Sequence, residues 1–129
     1  CLVLIIDAKK IGKNNWEVFT ENGREKTSKD VVEWAKEANS LGVGEILLTS
    51  IDKDGTLNGP DIELVNEVKK VINVPLVVSG GIGKISHIES LFNKTKNYNL
   101  AIGAALHKKK ITINEIKSFL KLNNFQINR

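Results

Sequence analysis

Asp7, then Asp52 with Asp54 and Gly55, then Ser79 with Gly80 and Gly81, then Gly103 with Ala104 share one trait in this 129-residue chain. Each set stands at or near the close of an apolar run. A carboxylate in that setting is costly unless it is solvated, paired or used. Glycine lets a backbone come close to an anion, because no side chain intervenes. The N–H groups of a loop such as "SGGIGK" (79–84), exposed with a helix start behind them, make a phosphate cradle. The spacing is not that of a Walker loop, since no GxxxxGK[ST] is present.

Each set also has a plainer reading. Asp7 also reads as an acid that caps the rim loop or pairs with Lys9 or Lys10. Asp52 and Asp54 suit Asx turns around Gly55. A GGxG run occurs in many turns. His87 and His107 have no Cys or carboxylate partner at metal-ligand spacing, so no metal site is expected and both read as incidental. Ser50 and Ser79 lack a G-x-S-x-G context, so a serine nucleophile is not expected.

The elements that must position these residues repeat. "LVLIID" (2–7) is a continuous apolar run, which suits a parallel strand covered on both faces. "KKIGKNN" (9–15) reads as polar loop, and "WEVFT" (16–20) with "REKT" (24–27) flanks Asn22-Gly23, a hairpin signal. "SKDVVEWAKEANSLG" (28–42) predicts a helix capped by Ser28 and stopped by Gly42, with Val31, Val32, Ala35, Ala38 and Leu41 inward. "EILLTSI" (45–51) is the next strand. "GPDIELVNEVKKVIN" (59–73) is a helix with Asp61 as cap and Ile62, Val65, Val68 and Ile72 as its stripe. "VPLVVS" (74–79) is a third strand, 84–96 a third helix and "YNLAIGAAL" (98–106) a fourth strand. "TINEIKSFLKLNN" (112–124) closes as an amphipathic helix with Ile113, Ile116, Phe119 and Leu120 inward.

Alternating strands and helices predict parallel βα units with right-handed crossovers. Two architectures fit: a small doubly wound sheet, or four units of a (β/α)8 barrel, which as a whole takes roughly 250 residues. In both, ligands bind at the C-terminal ends of the strands. All four candidate sets then share one rim.

Composition narrows the class. Apolar residues make up 41% and charged residues 26%, which is ordinary for a soluble domain. No run of 18 apolar residues exists, so no membrane partner is expected. Cys1 is the single cysteine, which excludes a disulfide framework and favours a reducing, cytoplasmic setting. The net charge of +4 sits partly in "HKKK" (107–110) and partly on helix faces, with few aromatics interleaved. Nucleic-acid binding is not expected. The chain opens on a strand without Met, which points to a true N-terminus upstream.

"IIDAKK", "WEVFTENGREKT", "VEWAKEANSLGVGEILLTSIDKDGT", "VPLVVSGGIGK" and "ALH" before "TINEIKSFLK" resemble the cyclase subunit of imidazole glycerol phosphate synthase, nearly end to end over the C-terminal half of that family's barrel. The resemblance implies the C-terminal (βα)4 half of a TIM barrel, with residues 1–129 as a single half-barrel domain whose N-terminal half is absent. It implies histidine biosynthesis, no cofactor, and a partner glutaminase as ammonia source. The substrate would be a phosphoribulosyl formimino carboxamide ribotide, cyclised to imidazole glycerol phosphate with release of an aminoimidazole carboxamide ribotide. By the same resemblance Asp7 is an acid/base catalyst. Asp54 and Gly55 contact substrate, Gly81, Gly103 and Ala104 bind phosphate through the backbone beside Ser79 and Gly80, and Glu45 belongs to an ammonia gate. Ring closure onto an amine needs proton transfers, and two carboxylates facing each other across a barrel mouth can supply them. This chain would hold one of the two.

The chain departs from the family pattern at Thr27-Ser28, where Thr-Gly is usual, at Pro60, where Tyr is common, and at Gly103-Ala104, where Ala-Ser is usual. Two other readings stand beside it. One is a relative that uses ammonia to amidate a surface-polysaccharide sugar. The other is a non-catalytic half-barrel that self-associates to cover its apolar inner face and strand edges.

Overall fold

The computed structural model describes residues 2–20, 25–96, 99–101 and 112–122. Its elements are β1 (Val3–Gly12), β2 (Asn15–Thr20), β3 (Glu25–Asp30), α1 (Val31–Ser40), β4 (Glu45–Ser50), α2 (Ile62–Lys69), β5 (Leu76–Ser79), α3 (Ile85–Thr95), β6 (Leu100–Ala101) and α4 (Ile113–Leu122). They build one sheet in the order β3-β2-β1-β4-β5-β6. β1, β4, β5 and β6 are parallel, and β2 and β3 join antiparallel.

The parallel strands lie side by side in chain order, so every crossover advances in the same direction. Right-handed crossovers then place each helix on the same face. Burial follows. Ile6 and Ala8 of β1, Ile46 and Leu48 of β4, and Leu76 and Val78 of β5 are buried among Val31 and Ala35 of α1, Leu64, Val65 and Val68 of α2, and Ile88, Leu91 and Phe92 of α3. Phe119 of α4 joins at the edge, its ring centroid 6.2 Å from that of Phe92. Residues one step out of phase line the other face. Val3 and Ile5 are 51% and 62% exposed, and Asp7, Leu47, Thr49, Val77 and Ser79 are half-buried. The "LVLIID" run is therefore covered on one face, not two. A singly wound parallel α/β sheet is consistent with part of a TIM barrel; a doubly wound sheet would carry helices on both faces.

Several local expectations change. The polar 9–15 segment is mostly strand: β1 continues to Gly12 and pairs with β2 from Asp7↔Phe19 to Gly12↔Asn15. Residues 9–15 are exposed on this ribbon, so lysines do not break it, while Trp16 and Val18 of β2 are buried. Asn14, at φ +52°, makes the turn. Asn22 and Gly23 lie outside the described residues, but their flanks pair through Thr20↔Glu25. Leu41 is 74% exposed and Ile113 58% exposed, so neither faces inward. Nothing is described of the side chain of Leu120. Asp61 does cap α2, accepting from the Leu64 N–H at 3.1 Å.

The cap of α1 is Asp30, whose carboxylate accepts from the Glu33 N–H at 2.9 Å, not Ser28. β3 runs on to Asp30 because Thr27 Oγ1 donates to the Val18 carbonyl across the ribbon. Ser28 sits at an irregularity opposite Glu17 and takes φ +64°. Its N–H there donates to Glu17 Oε2 at 3.4 Å, and Lys26 Nζ stands 3.9 Å from Oε1. That backbone geometry needs glycine more than serine, since a Cβ in the left-handed region costs roughly 1–2 kcal/mol. Ser28→Gly keeps the N–H donor and removes the strain. Allowing for glycine's freer unfolded chain, the variant is expected to gain about 0.5 kcal/mol, read as a higher urea midpoint at unchanged m-value. A lower midpoint would show that the serine hydroxyl supports the bulge.

Candidate functional site

Strand register decides which candidates meet. Asp7 pairs with Thr49, Thr49 with Ser79, and Ser79 with Ala101, which sets these positions in one row across the C-terminal ends of the parallel strands. Asp7, Thr49 and Ser79 are all on the face the helices leave bare. One step lower on that face lie Ile5, Leu47 and Val77. Glu45 pairs with Val3 at the opposite end of the sheet, four residues and about 13 Å below Thr49 on the same strand. Thr49 carried no signal in the sequence beyond its place in an apolar run; its partners reveal it. Ser50 points the other way, into the core, where its Oγ meets no hydrogen-bond partner among the described residues.

Above this row stand two loops. Residues 51–61 connect β4 to α2, and residues 80–84 connect β5 to α3. Asp54 donates its N–H to the Ser50 carbonyl at 2.9 Å, and Gly55 turns the chain at φ +76° with open space around it. Asp52 forms no Asx turn: its carboxylate accepts the Lys10 N–H at 2.6 Å, tying the loop to the ribbon.

The glycines of "SGGIGK" have a second occupation that their spacing did not reveal. A Cβ on Gly81 would lie 2.0 Å from the Gly59 carbonyl oxygen, and one on Gly80 2.8 Å from the Ser50 carbonyl oxygen. Gly59 donates its N–H to the Gly81 carbonyl at 2.7 Å. The two loops therefore pack backbone to backbone, and Gly80, Gly81 and Gly83 are buried rather than exposed. His87 is not incidental. Its Nδ1 accepts the Gly83 N–H at 2.9 Å and its ring lies against Gly59. Burial, and then the charge of Lys84, hold His87 below its ordinary pKa, which keeps Nδ1 free to accept. Gly103, Ala104 and His107 lie outside the described residues. Among the described residues, no group of three or more His, Cys, Asp or Glu could hold a metal ion.

Asp7 is the titratable group in the row. Among the described residues no hydrogen bond or ion pair holds its carboxylate. Lys10 Nζ instead stands 3.8 Å from Glu63, and Lys9 Nζ lies 5.3 Å from the centre of the Phe19 ring. Burial raises the Asp7 pKa above 3.8, and the charge of Asp54 raises it further. An acid so placed holds its proton longer than a free one, which suits proton exchange with a ligand.

The family model of histidine biosynthesis proteins matches residues 1–112. The chain belongs to that family. It is 51% identical over 122 residues to the imidazole glycerol phosphate synthase subunit HisF of Prochlorococcus marinus subsp. pastoris, covering 93% of this chain and 48% of that protein. The HisF subunits of Hydrogenobaculum sp. and Clostridium botulinum strain Okra are 45% identical over 127 residues and 46% over 129. Each alignment covers 98% of this chain, and 50% and 51% of the respective relative. The chain spans about half the length of the curated relatives it matches. No helix among the described residues is long and apolar enough to cross a membrane.

The electrostatics of the row have a measurable sign. Because Asp7's pKa is raised on folding, the folded state binds the extra proton. Stability then falls as pH rises from 3.8 through the folded value. Asp7→Asn removes this penalty. The variant is expected to be more stable than the parent at pH 7 and to lose that advantage at pH 3, read by urea unfolding at both. No advantage at pH 7 would mean that the carboxylate is well solvated or paired after all.

Proposed function

We propose that residues 1–129 form one half-barrel domain, the C-terminal four units of a (β/α)8 barrel, and act as part of the cyclase subunit of imidazole glycerol phosphate synthase. The observation that carries this reading is the row of Asp7, Thr49 and Ser79 on the bare face, topped by the Asp54 and glycine loops. The names of the relatives and their double length support it. The bare face and the lower edge of β1 support it independently. Leu2, Val3 and Ile5 are 73%, 51% and 62% exposed. Val3–Ile6 pair with β4 on one side and, among the described residues, with no strand on the other. Apolar surface and an open strand edge of this kind call for cover, which four further βα units would give.

In this reading the ribotide lies across the completed mouth, stretched between two phosphate sites, and the alignment lowers the entropy cost of ring closure. Backbone groups at Gly81, Gly103 and Ala104 hold one phosphate beside Ser79 and Gly80, and Asp54 and Gly55 contact the substrate. Ammonia from a glutaminase partner enters at the opposite end, past Glu45, and travels along the apolar lining of Ile5, Leu47 and Val77. Asp7 then exchanges protons with the closing ring, opposite a second carboxylate from the other half. Its raised pKa keeps both directions of transfer accessible nearer neutrality. The reaction needs no cofactor, and the setting is cytoplasmic.

The two acids separate by ammonia source. With the barrel completed, Asp7→Asn is expected to lower turnover by about 10²-fold or more, as removal of a general acid/base does, whether ammonia is added or made from glutamine. Glu45→Gln is expected to leave turnover on added ammonia nearly unchanged and to reduce glutamine-driven turnover several-fold. Equal loss on both sources would place Glu45 in structure rather than at a gate. Undiminished ribotide turnover in Asp7→Asn would remove the acid/base role.

A further inference from the structure

The loop that carries Asp54 is fastened to the β1–β2 ribbon, and the fastening is a hydrogen bond that neither residue's sequence context suggests. Trp16 of β2 is 1% exposed. A buried indole N–H needs an acceptor. It donates to Asp61 Oδ2 at 3.0 Å, across 45 residues of chain. The other oxygen of Asp61 caps α2 through the Leu64 N–H at 3.1 Å. One carboxylate thus ties three things together: the ribbon, the first turn of α2 and the far end of the 51–61 loop. The near end is tied to the same ribbon by Asp52 and the Lys10 N–H. The Lys10–Glu63 pair at 3.8 Å crosses the same junction, but both side chains are largely exposed and the pair is weak.

Between the two ties sits Asp54. The loop also holds strain at Leu57, which takes φ +59°, and it packs so closely on Gly83 that a Cβ there would lie 2.6 Å from the Leu57 carbonyl oxygen. A strained loop keeps its shape only where its surroundings over-determine it. Here the glycine loop fixes one side and the ribbon fixes the other.

We propose that Trp16 and Asp61 are positioning residues, whose hydrogen bond holds the 51–61 loop so that Asp54 faces Asp7 in the reactive row. The role rests on the reading of Asp7 as the acid/base, but it is a statement about geometry and can be tested without turnover. Asp61 as a helix cap alone is the competing account. Trp16→Phe separates the two, because it deletes the indole N–H and leaves the cap in place. Asp61→Ser approaches from the other side: serine still caps and is too short to reach the indole.

The experiment is an NMR titration of the Asp7 carboxyl in the 129-residue chain, for the parent, Trp16→Phe and Asp61→Ser, each with and without Asp54→Asn. Trp34→Phe, on α1, is the control for loss of an indole. In the parent, Asp54→Asn is expected to move the Asp7 midpoint down. In Trp16→Phe and Asp61→Ser the midpoint is expected to lie lower already, and Asp54→Asn to move it less. An Asp7 midpoint and an Asp54 coupling unchanged in both variants would overturn the proposal and leave Asp61 a cap. On the completed barrel, Trp16→Phe is expected to lower kcat on added ammonia about tenfold with KM changed less than twofold. Absence of ribotide turnover in the parent would defeat the functional reading while the titration result stood.

Discussion

One-sided winding is the constraint on which this structure depends. Four parallel strands in chain order, joined by right-handed crossovers, put the helices on a single face. The opposite face then receives every second residue of each strand. For Leu47 and Val77 that means an apolar surface with nothing folded against it among the described residues; for Asp7, Thr49 and Ser79 it means a polar row at the strand ends. The same winding therefore generates both the candidate site and the exposed apolar surface. A second sheet of helices over that face would bury the row and leave it no ligand.

The loops show how such a row is supported. Two connections that start on adjacent strands meet backbone to backbone, and glycine is required where they touch: Gly80 against the Ser50 carbonyl, Gly81 against the Gly59 carbonyl. Close contact of this kind leaves the loops little freedom to move separately. His87 adds a bond that depends on a neutral ring, through Nδ1 and the Gly83 N–H. The glycines that would admit a phosphate are thus the same glycines that lock the loops, and the two demands point to one residue type for different reasons. Either demand alone explains a glycine; the distances decide that packing is one of them.

Much of this was legible in the residues. Continuous apolar runs and helical spacing located the parallel strands and helices, Asp61 was readable as a cap, and the strand ends marked the candidate rim. What was not legible depended on partners distant in sequence. "KKIGKNN" looks like loop because its residues stay exposed, and its strand character comes from pairing with Asn15–Thr20, whose Trp16 and Val18 carry the buried side. Ser28 looks like a cap because serine often is one, but the chain was still committed to β3 through Thr27 and Glu17. The continuous run in β1 could not distinguish two covered faces from one, since Val3 and Ile5 are apolar although exposed. Thr49 was hidden inside a strand, and the Trp16–Asp61 bond spans two βα units. Gly103 and Ala104, which resemblance assigns to phosphate, fall beyond the described residues.

The ribbon also sets the distribution of charge around Asp7. Lys9 and Lys10 stand two and three residues after Asp7 and would be natural partners for it in a free loop. Pairing with β2 extends them away along the ribbon, where Lys9 lies over Phe19 and Lys10 turns to Glu63. Asp7 is left with burial on one side and the charge of Asp54 on the other, and both raise its pKa. An ion pair with either lysine would have lowered it. The ribbon thus keeps two cations from neutralising the acid while bringing a second carboxylate near it through Asp52 and Asp61. Burial and the Asp54 charge both disfavour the charged form, so the folded chain gives up stability at this position once the pH rises above the folded value.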